Sequence, residues 1–115
     1  MLPRENRLKK KEDFKEVAKK GYRAKEEFLT LRASKKKTKE IRVGIVVGQK
    51  VSKRAQERNT VKRRLREAVR SNLPVLKLGY DIVFIAQKGI KGKNFSEIKE
   101  RVEKLLQKAK LIKND

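Results

Sequence analysis

Apolar residues along the chain follow two different rhythms, and the change from one to the other marks out its elements. Between residues 12 and 20, Phe14, Val17 and Ala18 sit at i, i+3 and i+4, one face of a helix, and Gly21 stands where that helix would stop. Residues 28–33 switch to alternation, with Phe28, Thr30 and Arg32 on one face and Leu29, Leu31 and Ala33 on the other. Residues 34–40 hold four lysines and no apolar side chain, which predicts a solvated hairpin loop. Ile41, Val43, Ile45 and Val47 then alternate as a second strand. Gly44 faces the other way, where another group can approach the backbone closely.

After a basic loop at 48–55, the helical rhythm returns from about 56 to 71. Pro74 and Gly79 interrupt it, and residues 80–86 are almost continuously apolar, as a central strand covered on both faces would be. A Gly- and Lys-rich loop at 87–93 leads to a last helix. Asn94 or Ser96 can cap it, and Ile98, Val102, Leu105, Leu106 and Ala109 form its apolar stripe. The expected order is α-β-β-α-β-α, an α+β or α/β sandwich with helices packed on a small mixed sheet. The 115 residues fit one domain, with 1–11 as a basic arm and 110–115 as a fraying tail.

Charge changes the picture most. Thirty-five Lys and Arg face 14 Asp and Glu, a formal net charge of +21. Self-repulsion on that scale calls for an anionic partner, and a polyphosphate chain also releases condensed counterions when it binds. Nucleic acid is the leading partner. Disorder, the bland reading of a basic chain, is opposed by the periodic segments. A membrane partner is not expected: no apolar stretch approaches the ~20 residues needed to span one. The basic start is followed by no apolar segment of the secretory kind. With no Cys there are no disulfides or thiolate metal sites, and the cytoplasm is the expected compartment.

The charge concentrates between Lys50 and Arg70, with nine basic residues against Glu57 and Glu67. On a helical wheel, Val61, Leu65, Ala68 and Val69 share one sector, and Lys62, Arg66, Asn59, Arg70 and Arg63 lie on the other side. A solvated helix face usually mixes acids and bases at i, i+4. This face has no acid among its members, which favours phosphate binding. Arg58 falls near Leu65 and must fan outward or find a specific anion.

These residues carry a resemblance. Lys53-Arg54-Ala55-Gln56-Glu57-Arg58-Asn59-Thr60-Val61-Lys62-Arg63-Arg64-Leu65-Arg66-Glu67 resembles the signature of the bacterial ribonuclease P protein subunit. Asn6-Arg7-Leu8-Lys9-Lys10-Lys11-Glu12-Asp13-Phe14, Arg42-Val43-Gly44 and Tyr80-Asp81-Ile82-Val83 are similar to further segments of that family, in the same order. The resemblance implies an accessory role. A partner RNA with bound magnesium cuts the 5′ leader from precursor tRNA, and the protein binds both the RNA and the leader, with no small-molecule substrate.

Carried over, the family's basic motif falls on Arg58, Asn59, Lys62, Arg63 and Arg66, with Lys53, Arg54 and Arg70 extending that surface. The leader cleft falls on Phe14, Val17 and the sheet. Where a second aromatic is common one helical turn later, this chain has Ala18, so Phe28 and Arg32 are expected to complete the leader set. Phe14 reads equally as a plain core residue. The resemblance also implies a left-handed crossover in the strand–helix–strand unit, against the usual right-handed preference.

No catalytic site emerges. Histidine is absent, and Asp occurs only at Asp13, Asp81 and Asp115, too few for a carboxylate cluster holding metal ions. Gly89-Ile90-Lys91-Gly92 has the Gly-x-x-Gly form of a backbone clamp but follows a strand, so it reads as a basic turn. The alternatives are a ribosomal or other structural RNA-binding protein, a self-sufficient nuclease, and a duplex-DNA binder. For the last, only Asn59 offers base-edge readout.

Overall fold

Leu29, Leu31 and Ala33 point to one side of their strand and are fully buried, so the alternation in the sequence defines the inner face of a sheet. The structure is a computed structural model and describes residues 2–113. Its elements run α1 (Lys11–Lys20), β1 (Tyr22–Glu26), β2 (Leu29–Lys35), β3 (Ile41–Val46), α2 (Ala55–Asn72), β4 (Tyr80–Ala86) and α3 (Phe95–Lys108). Single 3-10 turns occupy Arg4–Asn6 and Leu73–Val75. The sheet order is β1-β2-β4-β3, antiparallel except for the parallel pair β3–β4 that α2 connects.

Two layers cover this sheet unequally. On one face, Val61, Leu65, Ala68 and Val69 of α2 and Ile98, Val102, Leu105 and Leu106 of α3 pack on Leu29, Leu31, Val43, Ile82 and Phe84 to form the main core. Asn94 caps α3 through a reciprocal pair of hydrogen bonds with Glu97. On the other face, among the described residues, lie α1 and Leu8 of the N-terminal segment. Val17 joins Leu8 and Val83 in a small second cluster, with Phe14 and Ile85 half-buried at its margin. A ten-residue helix cannot cover a four-stranded sheet, so part of that face stays open. β4 is central as expected, but its outer face is covered at Val83 and only half-covered at Ile85.

Several expectations are corrected. The chain has one more strand than the sequence suggests: β1, Tyr-Arg-Ala-Lys-Glu, is a polar edge strand with no apolar alternation to announce it. The tight hairpin joins β1 to β2 across Glu27 and Phe28, with Glu27 at φ 47°. Residues 34–40 are no hairpin loop, because β4 lies between β2 and β3. They cross the end of the sheet and are laced to Gly79, whose N–H donates to Glu40 O and whose carbonyl accepts from Lys36. Gly79 has φ 83°, and a Cβ there would lie 2.8 Å from the Thr38 carbonyl oxygen.

Both ends dock where arm and tail were expected. Leu2 and Leu8 are buried, Leu8 N–H donates to Val43 O at 2.9 Å, and Asn6 Nδ2 donates to Ile41 O at 2.7 Å. The arm thus covers the β3 edge, which would otherwise present unpaired backbone groups. Beyond α3, Leu111 is fully buried and its carbonyl accepts from Lys77, while Lys113 N–H donates to Val75 O. The rest of the expected tail, residues 114–115, lies outside the described residues.

Candidate nucleic-acid interface

The open part of the sheet face beside α1 forms a groove of about 200 Å³, lined by Phe14, Val17, Ala18, Arg32, Val46, Val83 and Ile85. Its width depends on how α1 is held. Arg42 Nε and Nη2 donate to the two oxygens of Asp81, each at 2.9 Å, and Nη1 reaches Asp13 Oδ2 at 3.3 Å. Asp81 is buried in β4, so this fork fixes the start of α1 to the sheet, and the hydrogen bonds from Arg42 to Asp81 raise the guanidinium above its ordinary value. At the other end of α1, Arg32 Nη1 donates to the Ala18 carbonyl at 3.0 Å, satisfying a helix-end oxygen.

Beyond Val46 and Ile85 the groove opens into a wider basin of about 700 Å³, bordered by Gly48, Gln49, Lys50, Gln87 and Lys88. Together they form an apolar floor with cations and amides along the rim. A single strand with bases down and phosphates out would meet complementary groups along this track.

Of the residues expected here, Phe14, Val17, Ala18 and Arg32 come together, and Phe28 does not. Phe28 is buried in the main core beneath the 87–93 loop, with Lys93 Nζ 5.8 Å from its ring centroid. Its place in the two-residue turn takes it off the alternation that carries Arg32. Val46, Val83, Ile85 and the basin residues were missed. Val46 and Ile85 could have been found as apolar positions on the sheet face opposite the Val43–Ile82 side.

The second surface is α2. Asn59, Arg63 and Arg66 are exposed and Lys62 is half-exposed, and none of the three cations forms an ion pair among the described residues. Lys53 and Arg54 are exposed just before the helix. Two residues assigned to this face are otherwise engaged. Arg70 pairs with Glu67 at 3.6 Å, an acid within the face after all. Arg58 turns back, its Nη1 donating to the carbonyls of Ser52 and Lys53 at 3.0 and 2.9 Å. Backbone oxygens thus take the place of the specific anion its position seemed to require.

The same loop is braced by Ser52, whose hydroxyl accepts from Arg54 N–H and donates to Glu57. That hydrogen bond, with Lys91 nearby, holds the Glu57 carboxyl below the usual carboxylate range. Arg64, which the charge pattern does not distinguish from its neighbours, ties α2 to the Lys93 carbonyl at 2.8 Å.

The two surfaces meet. A cleft of about 260 Å³ at the β3 edge is lined by Arg66 together with Arg7, Lys9, Phe14 and Gly44. Phe14 therefore borders both this cleft and the α1 groove. The Arg7 and Lys9 contributions follow from the docking of the N-terminal segment, which the sequence marks only by charge and by the resemblance of residues 6–14.

The family model for ribonuclease P matches residues 2–110. The chain belongs to the ribonuclease P protein family. It is 40% identical over 113 residues to the ribonuclease P protein component of Pseudanabaena sp., covering 97% of each chain, and 38% identical over 109 residues to that of Clostridium kluyveri, covering 93% of this chain and 96% of the relative. The fold is similar to that of the Staphylococcus aureus RNase P protein (TM-score 0.86, 29% identity, 94% of this chain and 98% of that one). It is also similar to the Thermotoga maritima RNase P protein (TM-score 0.80, 32% identity, 89% and 96%). The function is that of a protein component of ribonuclease P, a tRNA-processing ribonucleoprotein, and the ribosomal alternative is not favoured.

Membership raises the question of magnesium. Among the described residues no three of Asp, Glu, His and Cys gather where they could hold a metal ion. The acids nearest the basic helix are already engaged, Glu57 by Ser52 and Lys91 and Glu67 by Arg70. These residues do not fit a resident ion. Nor, among the described residues, is any helix long and apolar enough to cross a membrane.

Proposed function

We propose that this chain seats its α2 face on the ribonuclease P RNA and holds the 5′ leader of precursor tRNA in the α1 groove. On this reading the RNA subunit, with magnesium held by RNA and substrate phosphates, cleaves the leader in the cytoplasm. On the same reading the protein alone is inactive, since the chain has no histidine and, among the described residues, no acid cluster that could hold a metal ion.

The observation that carries the reading is the position of Phe14, on the border of both the groove and the Arg66 cleft. A leader lying in the groove would leave it beside the RNA bound to α2, so one small domain can set the distance between substrate and catalyst. Lys62, Arg63 and Arg66 supply phosphate contacts to the RNA. The floor of Phe14, Val17, Val46 and Ile85 gives sequence-tolerant contact to the leader bases. Ala18 leaves the groove wider than an aromatic would, so leader affinity rests on Phe14 and the rim cations.

The test is cleavage of precursor tRNA at low magnesium by bacterial ribonuclease P RNA alone, protein alone and the mixture, across a series of leader lengths. We expect cleavage at the mature 5′ end chiefly in the mixture, with the protein's contribution falling as the leader is shortened to one or two nucleotides. A protein contribution independent of leader length would remove the groove from the mechanism. Cleavage by protein free of RNA would overturn the accessory role.

A further inference from the structure

A separate concavity, of about 660 Å³, lies on the opposite side of the sheet, between the β1 edge, the end of α3 and the segment leading into β4. Tyr22 and Tyr80 line it together with Lys25, Lys77, Lys108 and Lys110. Tyr22 and Tyr80 share the parity of Ala24 and Ile82, the α3 face, whereas the α1 groove is built on Val83 and Ile85. Nothing in the leader or RNA-subunit reading uses this site.

The site is built in two respects. The Tyr22 ring is 44% exposed yet anchored, its Oη donating to the Ala109 carbonyl at 2.9 Å. Partial burial lifts the phenol above its ordinary pKa, so it stays a neutral donor. The charge is also uncompensated. Lys108 pairs with Glu26 at 2.7 Å and donates to the Lys25 carbonyl, but Lys77 and Lys110 form no ion pair among the described residues. A fixed aromatic beside two free ammonium groups matches an unstacked base flanked by phosphates. A duplex presents its bases only at their edges and would leave the ring unused.

We propose that this tyrosine–lysine pocket binds a second single-stranded RNA segment, with a base against Tyr22 and phosphates on Lys77 and Lys110. The domain then holds RNA on both faces of its sheet.

Tyr22 and Tyr80 are the only tyrosines in the chain, and there is no tryptophan, so ¹³C-labelled tyrosine in the full-length protein reports from this pocket alone. The probe is an oligouridylate of about eight nucleotides, with polyglutamate of equal charge as comparator and anisotropy following total binding. The Tyr22 ring signals are expected to shift saturably with oligouridylate and little with polyglutamate. Lys77→Glu with Lys110→Glu is expected to weaken that titration by about tenfold or more.

Unmoved tyrosine rings while anisotropy still reports RNA binding would overturn the pocket and leave the leader groove untouched. Equal shifts with polyglutamate would overturn it in favour of an acidic polypeptide. Ring shifts that persist when leader length proves irrelevant to cleavage would uphold the pocket and reject the groove.

Discussion

The ring of Phe14 rests on the backbone of Gly44, so near that a Cβ at that position would come within 2.5 Å of the ring's Cζ. This contact sets the depth at which α1 lies over β3, and with it the mouth shared by the groove and the Arg66 cleft. Gly44→Ala is therefore expected to push Phe14 outward and cost about 1–3 kcal/mol. Thermal melts would show the loss, and cleavage assays would show a weaker dependence on leader length. Pairing Gly44→Ala with Phe14→Leu should recover stability without recovering the leader effect. An unaltered melting temperature in the single variant would count against the packing described.

Arg63 and Arg66 differ from Arg58 in kind, although all three fall in one basic run. Arg63→Ala and Arg66→Ala should leave stability within about 0.5 kcal/mol. Each should lower the slope of log affinity against log salt for the partner RNA by about one. Arg58→Ala should do the reverse, costing about 1–2 kcal/mol because it frees the Ser52 and Lys53 carbonyls. Urea titrations beside filter binding at several salt concentrations would separate the two classes.

Asp81→Asn removes the carboxylate that takes both prongs of Arg42. The guanidinium then keeps one amide acceptor in place of two charged oxygens, with Asp13 as its remaining carboxylate hydrogen-bond partner. Because Arg42 is partly exposed, the expected cost is about 2–3 kcal/mol, below that of a fully buried pair. Equilibrium unfolding measures it. A smaller loss in the Arg42→Met, Asp81→Leu double variant would show that the pair orients α1 more than it stabilises the core.

Acid should weaken the fold through Glu26 and Glu57. Both carboxyls are held below their ordinary pKa of 4.5, Glu26 chiefly by the Lys108 hydrogen bond and Glu57 chiefly by the Ser52 hydroxyl. A carboxyl with a lowered folded pKa contributes above its unfolded pKa and stops contributing as pH falls through the folded value. Tm should be level at neutral pH and decline below about pH 4.5. Glu26→Gln and Glu57→Gln should each flatten part of that decline while lowering Tm at neutral pH.

Lys110 follows α3 at φ 58°, a conformation glycine adopts freely and lysine does not. Lys110→Gly is expected to gain about 0.5–1 kcal/mol, which for a domain of this size raises Tm by roughly 2–6 °C. Calorimetry would check it.

What the sequence reveals depends on how much each element must say for itself. α2, β4 and α3 bury most of one face or a whole strand, so their apolar periods are plain. β1 is an edge strand whose pairing is written in the backbone, and Tyr22 and Ala24 are too little pattern to disclose it. The basic face of α2 is visible as charge, but charge cannot separate Arg63, which faces solvent, from Arg58, which binds its own loop. Phe14 and Gly44 are each singled out by spacing, yet their contact depends on where α1 lands. The groove floor of Val46 and Ile85 exists only because α1 is too short to cover it.

The place of β4 in the sheet bears on the order in which the molecule can be made. Its partners β2 and β3 are complete about forty residues before it, yet neither touches the other. A nascent chain paused after α2 holds the β1–β2 hairpin, β3 and two amphipathic helices, but its strands cannot join into one sheet, and neither layer can close until the strand between them leaves the ribosome. Assembly is thus governed by a late, non-local insertion rather than by stepwise accretion. Until it happens, the exposed apolar faces belong to a chain that already carries most of its positive charge, and the mutual repulsion of such chains opposes aggregation.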